Sequence, residues 1–371
     1  MGIADTVTGG RRIAVERPGT AVVAVVVAYL LADLAAKLVG TTVFFLGVRL
    51  FGGSLTVGSL FTMLLDGLLV GLAVGLAGIG LSMTYSILDF ANFAHGDTVT
   101  VGAFLGWVTA YVAANLATSV PFSSLFLLND GNQLSVSAGW ALVLLGLVVA
   151  AVGTVAVTLL VDRLVYRPMR DSDNISLLIA SIGVALALRY LIAFVFGAQT
   201  SGVATVGFQL RLVTGLAVTD NELALLVVAV VLMIAVHVLL QRTKLGKAMR
   251  AMADNEDLAR VTGIPTERVV RLTWILGGAL AGTSGYLLVL ERGTIAFNFG
   301  WILLLLIFAA VIVGGIGSIY GAMAGGVLIG LVDSLALIWL PSGLTRAAAF
   351  AVLIVVLLIR PSGIFGGVTT A

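Results

Sequence analysis

Apolar runs long enough to cross a lipid bilayer recur along almost the whole chain. The hydrocarbon core is about 30 Å thick, so a spanning helix needs about 20 mainly apolar residues. Backbone groups in lipid must be satisfied within the protein, which permits only helices and closed barrels. Barrel strands alternate polar and apolar residues, and these runs do not. The pattern therefore predicts an all-α, polytopic transmembrane helical bundle.

The composition excludes a water-soluble domain. Of the 371 residues, 60% are hydrophobic and 10% are charged, whereas soluble domains carry about 25% charged residues. The chain has no cysteine and only two histidines, His95 and His237, which are far apart in sequence. We therefore predict no disulfide, no thiolate metal site and no metal cluster.

The apolar runs divide into about ten helices. Their predicted positions are 20–40, 58–82, 97–118, 138–162, 176–196, 222–241, 271–291, 300–318, 320–340 and 345–360. We expect residues 1–57 to form a tail, the first helix and an outside connection. Residues 58–371 then form the main transmembrane domain.

Lysine and arginine are concentrated in segments that ten helices would place on one side of the membrane. Fourteen of the 20 lie there: Arg11, Arg12, Arg17, Arg163, Arg167, Arg170, Arg242, Lys244, Lys247, Arg250, Arg260, Arg268, Arg271 and Arg360. Cytoplasmic loops carry an excess of positive charge. This distribution predicts that both termini are cytoplasmic and that connections 119–137 and 197–221 are outside.

Two sets of glycines repeat the same spacing in the second and seventh helices. They are Gly71, Gly75 and Gly78, and Gly278, Gly282 and Gly285. The two helices run in opposite directions in the predicted topology, which fits an inverted repeat of the transporter kind. Close helix packing through small residues is the alternative explanation.

The largest polar segment, 242–270, lies between the sixth and seventh helices. It is rich in helix-forming residues and ends at Gly263 and Pro265, which predicts one short amphipathic helix on the cytoplasmic face. Its apolar stripe comprises Ala248, Met249, Ala251, Met252, Leu258 and Ala259. Such a helix can lie on lipid or dock a protein. The small stripe without aromatic residues favours a protein partner.

A second polar segment, Tyr85 to Asp97, lies near a predicted membrane boundary and includes Asp89, Asn92 and His95. Ionisable groups at membrane depth are costly and are usually paired or functional. No nucleophile, base and orienting group occur together, so we predict helix capping by Asn92 and Asp97, or gating, rather than catalysis.

Four further polar residues are isolated in apolar runs: Asp33, Asp66, His237 and Asp333. We expect interhelical hydrogen bonds for them. The glycine-rich stretch 314–321 lacks the Lys-Ser/Thr of a phosphate-binding loop and predicts a tight turn without a nucleotide site.

Seven motifs follow one another between roughly residues 60 and 366. They are Asn92-Phe-Ala-His95-Gly96-Asp97, Tyr166-Arg-Pro168-Met-Arg170, Leu177 to Gly183, Gly246-Lys-Ala-Met-Arg250 with Gly263-Ile264, Gly277 to Gly285, Gly314 to Ser318 and Arg360 to Ile364. In this order, they resemble the LivH-like permease subunit of branched-chain amino acid ABC importers. The first 57 residues match no pattern of this family.

The resemblance implies a transport subunit, not an enzyme, in the cell membrane. Its implied partners are two cytoplasmic ABC ATPases, a second permease subunit, an extracytoplasmic solute-binding protein and membrane lipid, with no nucleic acid. The chain itself would bind no cofactor or metal, and ATP would bind to the ATPases.

The resemblance also assigns residues. Those expected to couple the permease to the ATPases are Lys247, Arg250, Ala251, Asp254, Asn255, Glu256, Ala259 and Gly263. Those expected in the translocation pathway or its gate are Tyr85, Asn92, His95, Gly96 and Asp97. The solute would be a branched-chain amino acid or a related small polar molecule.

An ion-coupled secondary transporter is the alternative function. It would use the carboxylates of Asp33, Asp66 or Asp333, which would have to face one another or a common pathway.

Overall fold

The computed structural model describes residues 18–45, 48–116, 136–204, 207–213 and 216–366. Twelve helices lie in these ranges: α1 (Pro18–Val39), α2 (Val57–Leu88), α3 (Ala94–Leu116), α4 (Val136–Val161), α5 (Asn174–Phe196), α6 (Asp220–Arg242), α7 (Lys244–Asp254), α8 (Glu256–Val261), α9 (Thr266–Arg292), α10 (Phe299–Gly314), α11 (Ile319–Leu335) and α12 (Thr345–Ile359). A π-helical turn, Asp162–Tyr166, and a 3₁₀ turn, Arg167–Met169, extend α4.

Nine of these helices are long and apolar enough to span a membrane. The tenth apolar helix, α10, has 16 residues and a length of about 24 Å at about 1.5 Å per residue. All ten predicted helices are present, which confirms a polytopic helical bundle. The cytoplasmic orientation of the termini stays a prediction.

Some predicted boundaries are wrong. The second helix continues to Leu88 rather than ending near 82, and the helix predicted at 300–318 ends at Gly314. Gly314 ends it because Gly315 and Gly317 have positive φ angles of 105° and 85°, which favour glycine and break a helix. The connection 119–137 lies almost entirely outside the described residues.

The connections also contain short strands that the all-α prediction did not include. Three two-stranded antiparallel ladders pair β1 (Thr42–Phe45) with β2 (Val48–Gly52), β3 (Ser201–Gly202) with β6 (Thr294–Ile295), and β4 (Gln209–Val213) with β5 (Leu216–Thr219). These ladders provide hydrogen-bond partners for backbone N–H and C=O groups in the connections between helices.

Glycine contacts bring the central helices α2, α3, α9 and α10 together. A Cβ atom on Gly80 of α2 would lie 2.9 Å from the Gly277 carbonyl oxygen of α9. A Cβ on Gly102 of α3 would overlap the Cα of Gly282 on α9. Lipid gives helices little hydrophobic drive to associate, so close backbone packing must hold them together.

The repeated glycine sets occupy equivalent positions in two halves. The first two glycines of the α2 set face α11, and those of the α9 set face α4. The third members reach α10 and α3, respectively. Exchanging α2 with α9, α3 with α10 and α4 with α11 thus preserves these contacts. This packing fits the inverted repeat that the spacing suggested.

The described basic segments, around residues 163–170, 242–271 and 360, collect at one end of the bundle, which we call the basic end. There the Ser86 hydroxyl at the end of α2 donates to Gly317 O (3.0 Å). The Ile364 amide donates to Val313 O (2.9 Å), which holds the C-terminal segment beside α10. The polar segment 242–270 contains α7 and α8, and we call it the coupling segment after its predicted role. It lies at this end because α6 finishes and α9 begins there.

A buried carboxylate attaches α1 at the opposite end. Asp33 pairs with Lys37 (2.7 Å) and accepts hydrogen bonds from the Gly52 amide (2.6 Å) and the Trp339 indole (2.7 Å). Most other α1 side chains are exposed. The isolated aspartate of the sequence therefore links the first helix to β2 and to the turn after α11.

We expect Gly102→Ala to abolish folding, because its Cβ would overlap backbone atoms of α9. Gly183→Ala in α5 is the matched control, since no atom lies within 4 Å of its Cβ position. Size-exclusion chromatography of detergent-solubilised fluorescent fusions measures both variants. A normal monodisperse peak for Gly102→Ala would contradict this packing.

Candidate functional site

The polar segment between α2 and α3 forms a tight turn. Asp89 ends α2 in the left-handed conformation, with φ of 52°. The Asn92 side-chain oxygen then accepts a hydrogen bond from the Ala94 amide (3.0 Å) at the start of α3. Asn92 is therefore a capping residue, as the sequence predicted. The capping role predicted for Asp97 is wrong, because Asp97 lies within α3 and pairs with Arg189.

Aromatic and hydroxyl groups from three other helices enclose this turn. The Tyr166 hydroxyl, after α4, donates to the Asn92 side-chain oxygen (3.1 Å). The Tyr166 ring stacks on Trp274 of α9, with centroids 5.2 Å apart. The Ser181 hydroxyl of α5 accepts from the Phe93 amide (3.0 Å). We call this turn and its contacts the α2–α3 junction.

His95 has a packing role at the junction. Its Nε2 lies 2.8 Å from the Ala77 carbonyl of α2. A carbonyl oxygen only accepts, so Nε2 carries a proton and donates it. The ring is buried, which leaves no geometry for a general base acting on a solute at Nε2. Tyr85, also predicted for the pathway, lies one turn before the end of α2 and is half-buried.

Asp97 forms a two-pronged ion pair with Arg189 of α5. The two nitrogen–oxygen distances are 2.8 and 3.0 Å, and the Asp97 side chain is fully buried. The Arg189 guanidinium also lies over the Trp301 ring, 4.3 Å from its centroid. One ion pair thus joins α3, α5 and α10.

Arg189 and Trp301 are not among the residues predicted from the sequence. The sequence does contain a signal for Arg189, because it is the only charged residue between Asn174 and Phe196 and a charge inside a spanning helix requires a partner. Its partner could not be identified, since 92 residues separate it from Asp97.

Gly96 lies where α3 crosses α10. A Cβ on Gly96 would lie 2.5 Å from the Gly300 carbonyl, and the Gly300 amide donates to the Thr100 hydroxyl (2.9 Å). The four predicted pathway residues from Asn92 to Asp97 are neighbours in the sequence itself. Each contacts a different part of the bundle, and their place in the pathway stays a prediction.

The coupling segment differs from the single predicted helix. It contains two helices, α7 and α8, separated at Asn255. The Thr243 hydroxyl accepts from the Gly246 amide (3.1 Å) to start α7, and the Asn255 side chain accepts from the Leu258 amide (2.8 Å) to start α8. Asn255 breaks the helix because its side chain competes with the backbone for hydrogen bonds.

Most of the predicted docking stripe faces the protein's own bundle. Met249, Met252 and Ala259 are buried, and α7 packs against α2, α6 and α9. The Arg250 guanidinium donates to the Leu240 carbonyl (2.6 Å) at the end of α6. For Met249, Met252 and Ala259 the docking interpretation is therefore wrong, because the bundle itself covers them. Leu258 of the same stripe is exposed.

Other residues of the segment face outward. Of the predicted coupling residues, the exposed ones are Lys247, Asp254, Asn255, Glu256 and Gly263, whereas Ala251 is half-buried. Leu258 and Val261 on α8 are 60% and 84% exposed. Leu258 and Val261, which we call the α8 apolar pair, lie beside the Glu256–Arg260 ion pair (2.7 Å).

A charge cluster joins the ends of α4 and α9 beside the coupling segment. Arg170 bonds to Asp162 (3.1 Å) and to Glu267. Burial disfavours the charged guanidinium, but these hydrogen bonds outweigh burial and raise the pKa of Arg170 above its usual value. The cluster connects the start of α9 to the π-helical turn that carries Tyr166.

Of the other isolated polar residues in the described ranges, His237 has an interhelical hydrogen bond and Asp333 has a buried oxygen without one. His237 bonds to the Tyr320 hydroxyl (2.8 Å), as expected for an interhelical contact. Asp333 has a buried oxygen, Oδ1, without a hydrogen-bond partner among the described residues. Across those same residues, no three His, Cys, Asp or Glu side chains are grouped to hold a metal ion.

Comparison with known proteins identifies relatives along most of the chain. Residues 63–359 match the family model described as branched-chain amino acid transport system, permease component. LivH of Escherichia coli K12, a high-affinity branched-chain amino acid transport permease protein, is 30% identical over 81% of this chain and 94% of its own length.

Two further relatives come from other organisms. BraD of Pseudomonas aeruginosa, a permease protein of the same named system, is 29% identical over 82% of this chain and 94% of its own length. A probable LivH of Methanocaldococcus jannaschii is 29% identical over 82% of this chain and 92% of its own. No solved structure matches the chain significantly.

We expect Asp97→Ala to destabilise the protein by about 3–5 kcal/mol, because it leaves Arg189 buried without its partner. The double variant Asp97→Leu, Arg189→Met should recover much of that loss. Asp171→Ala, an exposed carboxylate, is the control. Thermal unfolding in detergent measures all three, and an unchanged Tm for Asp97→Ala would contradict the pairing.

Proposed function

The chain belongs to the family of permease components of branched-chain amino acid transport systems, and we propose that it forms the membrane pathway of an ATP-driven importer for these amino acids. The family match over residues 63–359 is the observation that carries this proposal. Nine of the ten apolar helices, all except α1, lie wholly or largely within this range. The chain is thus a multi-pass transport component of the cell membrane that moves solute without changing it chemically.

Energy for import would come from separate ATP-binding subunits. Such subunits need a surface on the permease that lies outside the membrane and is joined rigidly to the helices. The coupling segment meets both conditions, because its inner face packs on α2, α6 and α9 and its outer face is exposed. We place the ATPase contact there, with the exposed residues Lys247, Asp254, Asn255, Glu256 and Gly263.

The α8 apolar pair is the centre of the proposed contact. Adjacent exposed apolar side chains rimmed by charged residues are typical of protein interaction sites. Glu256, Asp257 and Arg260 surround Leu258 and Val261 and are themselves exposed. The acidic residues oppose burial of this surface in an anionic lipid interface, which favours a protein partner.

A chain of contacts connects this surface to the helices of the bundle, so that a displacement of the surface can be transmitted to them. Because Met249 and Met252 are buried against the helices, a displacement of α7 must move α9 or α2 with it. Arg170 joins α9 to the turn that carries Tyr166, and Tyr166 bonds to Asn92. We propose that this chain of contacts links the ATPase surface to the α2–α3 junction.

The α2–α3 junction would then act in the gate. It lies at the basic end, where an imported solute leaves the membrane if that end is cytoplasmic. The junction also connects to α5 and α10 through Asp97, Arg189 and Trp301. A change at the turn would therefore reorient four helices together.

The remaining proposed partners follow from the family. We propose that a second permease subunit completes the transmembrane part and that an extracytoplasmic solute-binding protein delivers the amino acid. The secondary-transporter alternative is less well supported, because Asp33 is occupied by Lys37, Gly52 and Trp339 and belongs to a structural anchor.

Reconstituting the chain with its ATPase, second permease and binding protein should give ATP-dependent uptake of leucine, isoleucine and valine into proteoliposomes. Uptake should stop without ATP and persist when ionophores dissipate ion gradients. Uptake that requires an ion gradient and ignores ATP would contradict the proposal. Radiolabelled amino acids provide the measurement.

The double variant Leu258→Asp, Val261→Asp should weaken ATPase binding by tenfold or more, because two carboxylates replace the apolar centre of the contact. Folding should be normal, since both side chains are exposed. Leu210→Asp is the matched control, an exposed leucine in β4 at the opposite end. Co-purification of the ATPase with the tagged permease measures binding, and equal recovery from all three proteins would refute this contact.

A further inference from the structure

A cavity of about 330 Å³ opens at the bundle end opposite the coupling segment. It lies between the end of α9, the start of α10, the end of α11 and the start of α12. Pockets for small molecules have volumes of roughly 300–1,000 Å³, so this one suits a small solute. None of the residues predicted from sequence for the pathway lines it.

Three charged residues line the cavity: Arg292 of α9, Asp333 of α11 and Arg346 of α12. Among the described residues, no ion pair within 4.0 Å joins Asp333 to either arginine. The Asp333 oxygen Oδ1 is buried and has no hydrogen-bond partner in the described part of the chain. Asp333 is half-buried and both arginines are exposed. A buried carboxylate oxygen without a partner requires an explanation, and beside two accessible guanidinium groups it indicates a site for a charged ligand.

One wall of the cavity is apolar. It is formed by one face of α10, with Ile302, Leu303 and Leu306. Phe299 at the start of the same helix holds the Arg292 guanidinium 5.9 Å from its ring centroid. Aliphatic side chains and both signs of charge are therefore presented to one small volume.

We infer that this cavity is a binding site for a zwitterionic aliphatic amino acid. The ligand carboxylate would pair with Arg292 and Arg346, and its ammonium group would donate to Asp333. Its branched side chain would lie against Ile302, Leu303 and Leu306. The inference rests on the proposed function and adds to it a solute site within the permease itself.

The position of the cavity suits a first contact with incoming solute. If the basic end is cytoplasmic, the cavity opens toward the solute-binding protein. The helix that forms its apolar wall, α10, also carries Trp301 against Arg189 and Gly300 against Thr100. A ligand bound in the cavity therefore contacts the same helix, α10, that packs against the α2–α3 junction.

A docking patch for acidic side chains of the solute-binding protein is the competing explanation for the two arginines. The two explanations differ in the sign of the Asp333 effect. Asp333 would bind the ammonium group of a zwitterion, but it would repel an acidic docking side chain. Removing its charge weakens binding in the first case and leaves it unchanged or strengthens it in the second.

The test uses the complete importer in lipid nanodiscs without the binding protein, with leucine as the probe. We expect Asp333→Asn and Arg346→Gln each to weaken leucine binding roughly tenfold, because each removes a charge-assisted hydrogen bond. Ile302→Trp should block binding by filling the cavity. Arg211→Gln in β4, an exposed arginine at the same end but outside the cavity, is the matched control. Saturation-transfer-difference NMR measures binding.

A second measurement is the concentration of loaded binding protein that half-activates the ATPase. We expect it to be unchanged in Asp333→Asn and Arg346→Gln. If Arg346→Gln raises it while Asp333→Asn does not, and leucine binding is unaffected, the cavity is a docking patch and the inference is wrong. Absence of leucine binding in an importer that transports leucine also overturns it. An importer that transports no branched-chain amino acid would instead refute the proposed function.

Discussion

Close backbone contact between α2, α3, α9 and α10 is the constraint on which the rest of the structure depends. In lipid, helices gain little from burying apolar side chains against one another, because the surrounding acyl chains are equally apolar. Because glycines such as Gly80, Gly102 and Gly282 have no side chain, the helix backbones approach closely there. Dispersion and polar contacts between backbone atoms then hold the helices together. Only a core packed this closely can hold the charged and polar groups of the protein at fixed positions.

The polar groups at membrane depth connect helices that are distant in sequence. Asp33 joins α1 to the turn after α11, and Asp97 joins α3 to α5. Removing either partner would leave a charge in a medium of low dielectric constant, which gives each connection a high cost of breaking. Asp333 is different, because one of its buried oxygens has no partner among the described residues. Glu291 also has a buried oxygen without such a partner, but only Asp333 of the two lines the cavity. This position supports Asp333 as the carboxylate that a ligand would bind.

The two ends of the bundle are suited to different tasks. At the basic end, the coupling segment packs its methionines inward and exposes Leu258 and Val261. At the other end, a cavity combines two arginines, an aspartate and aliphatic side chains. Helices α9 and α10 run between these ends and contact the α2–α3 junction. A transporter that alternates access requires such a connection, since ATPase binding at one face must alter the conformation of the solute site at the other face.

The sequence alone determined the class, the ten helices and the family, because apolar length and ordered motifs are local properties that survive without a three-dimensional structure. It also indicated that Asn92 caps a helix and that 242–270 is a distinct segment. Only the tertiary structure decided which face of that segment is exposed and which residue pairs with Asp97. The same holds for Arg292, Asp333 and Arg346, which meet in one cavity. These facts depend on how helices rotate and cross, and glycine contacts between segments distant in the chain set those angles.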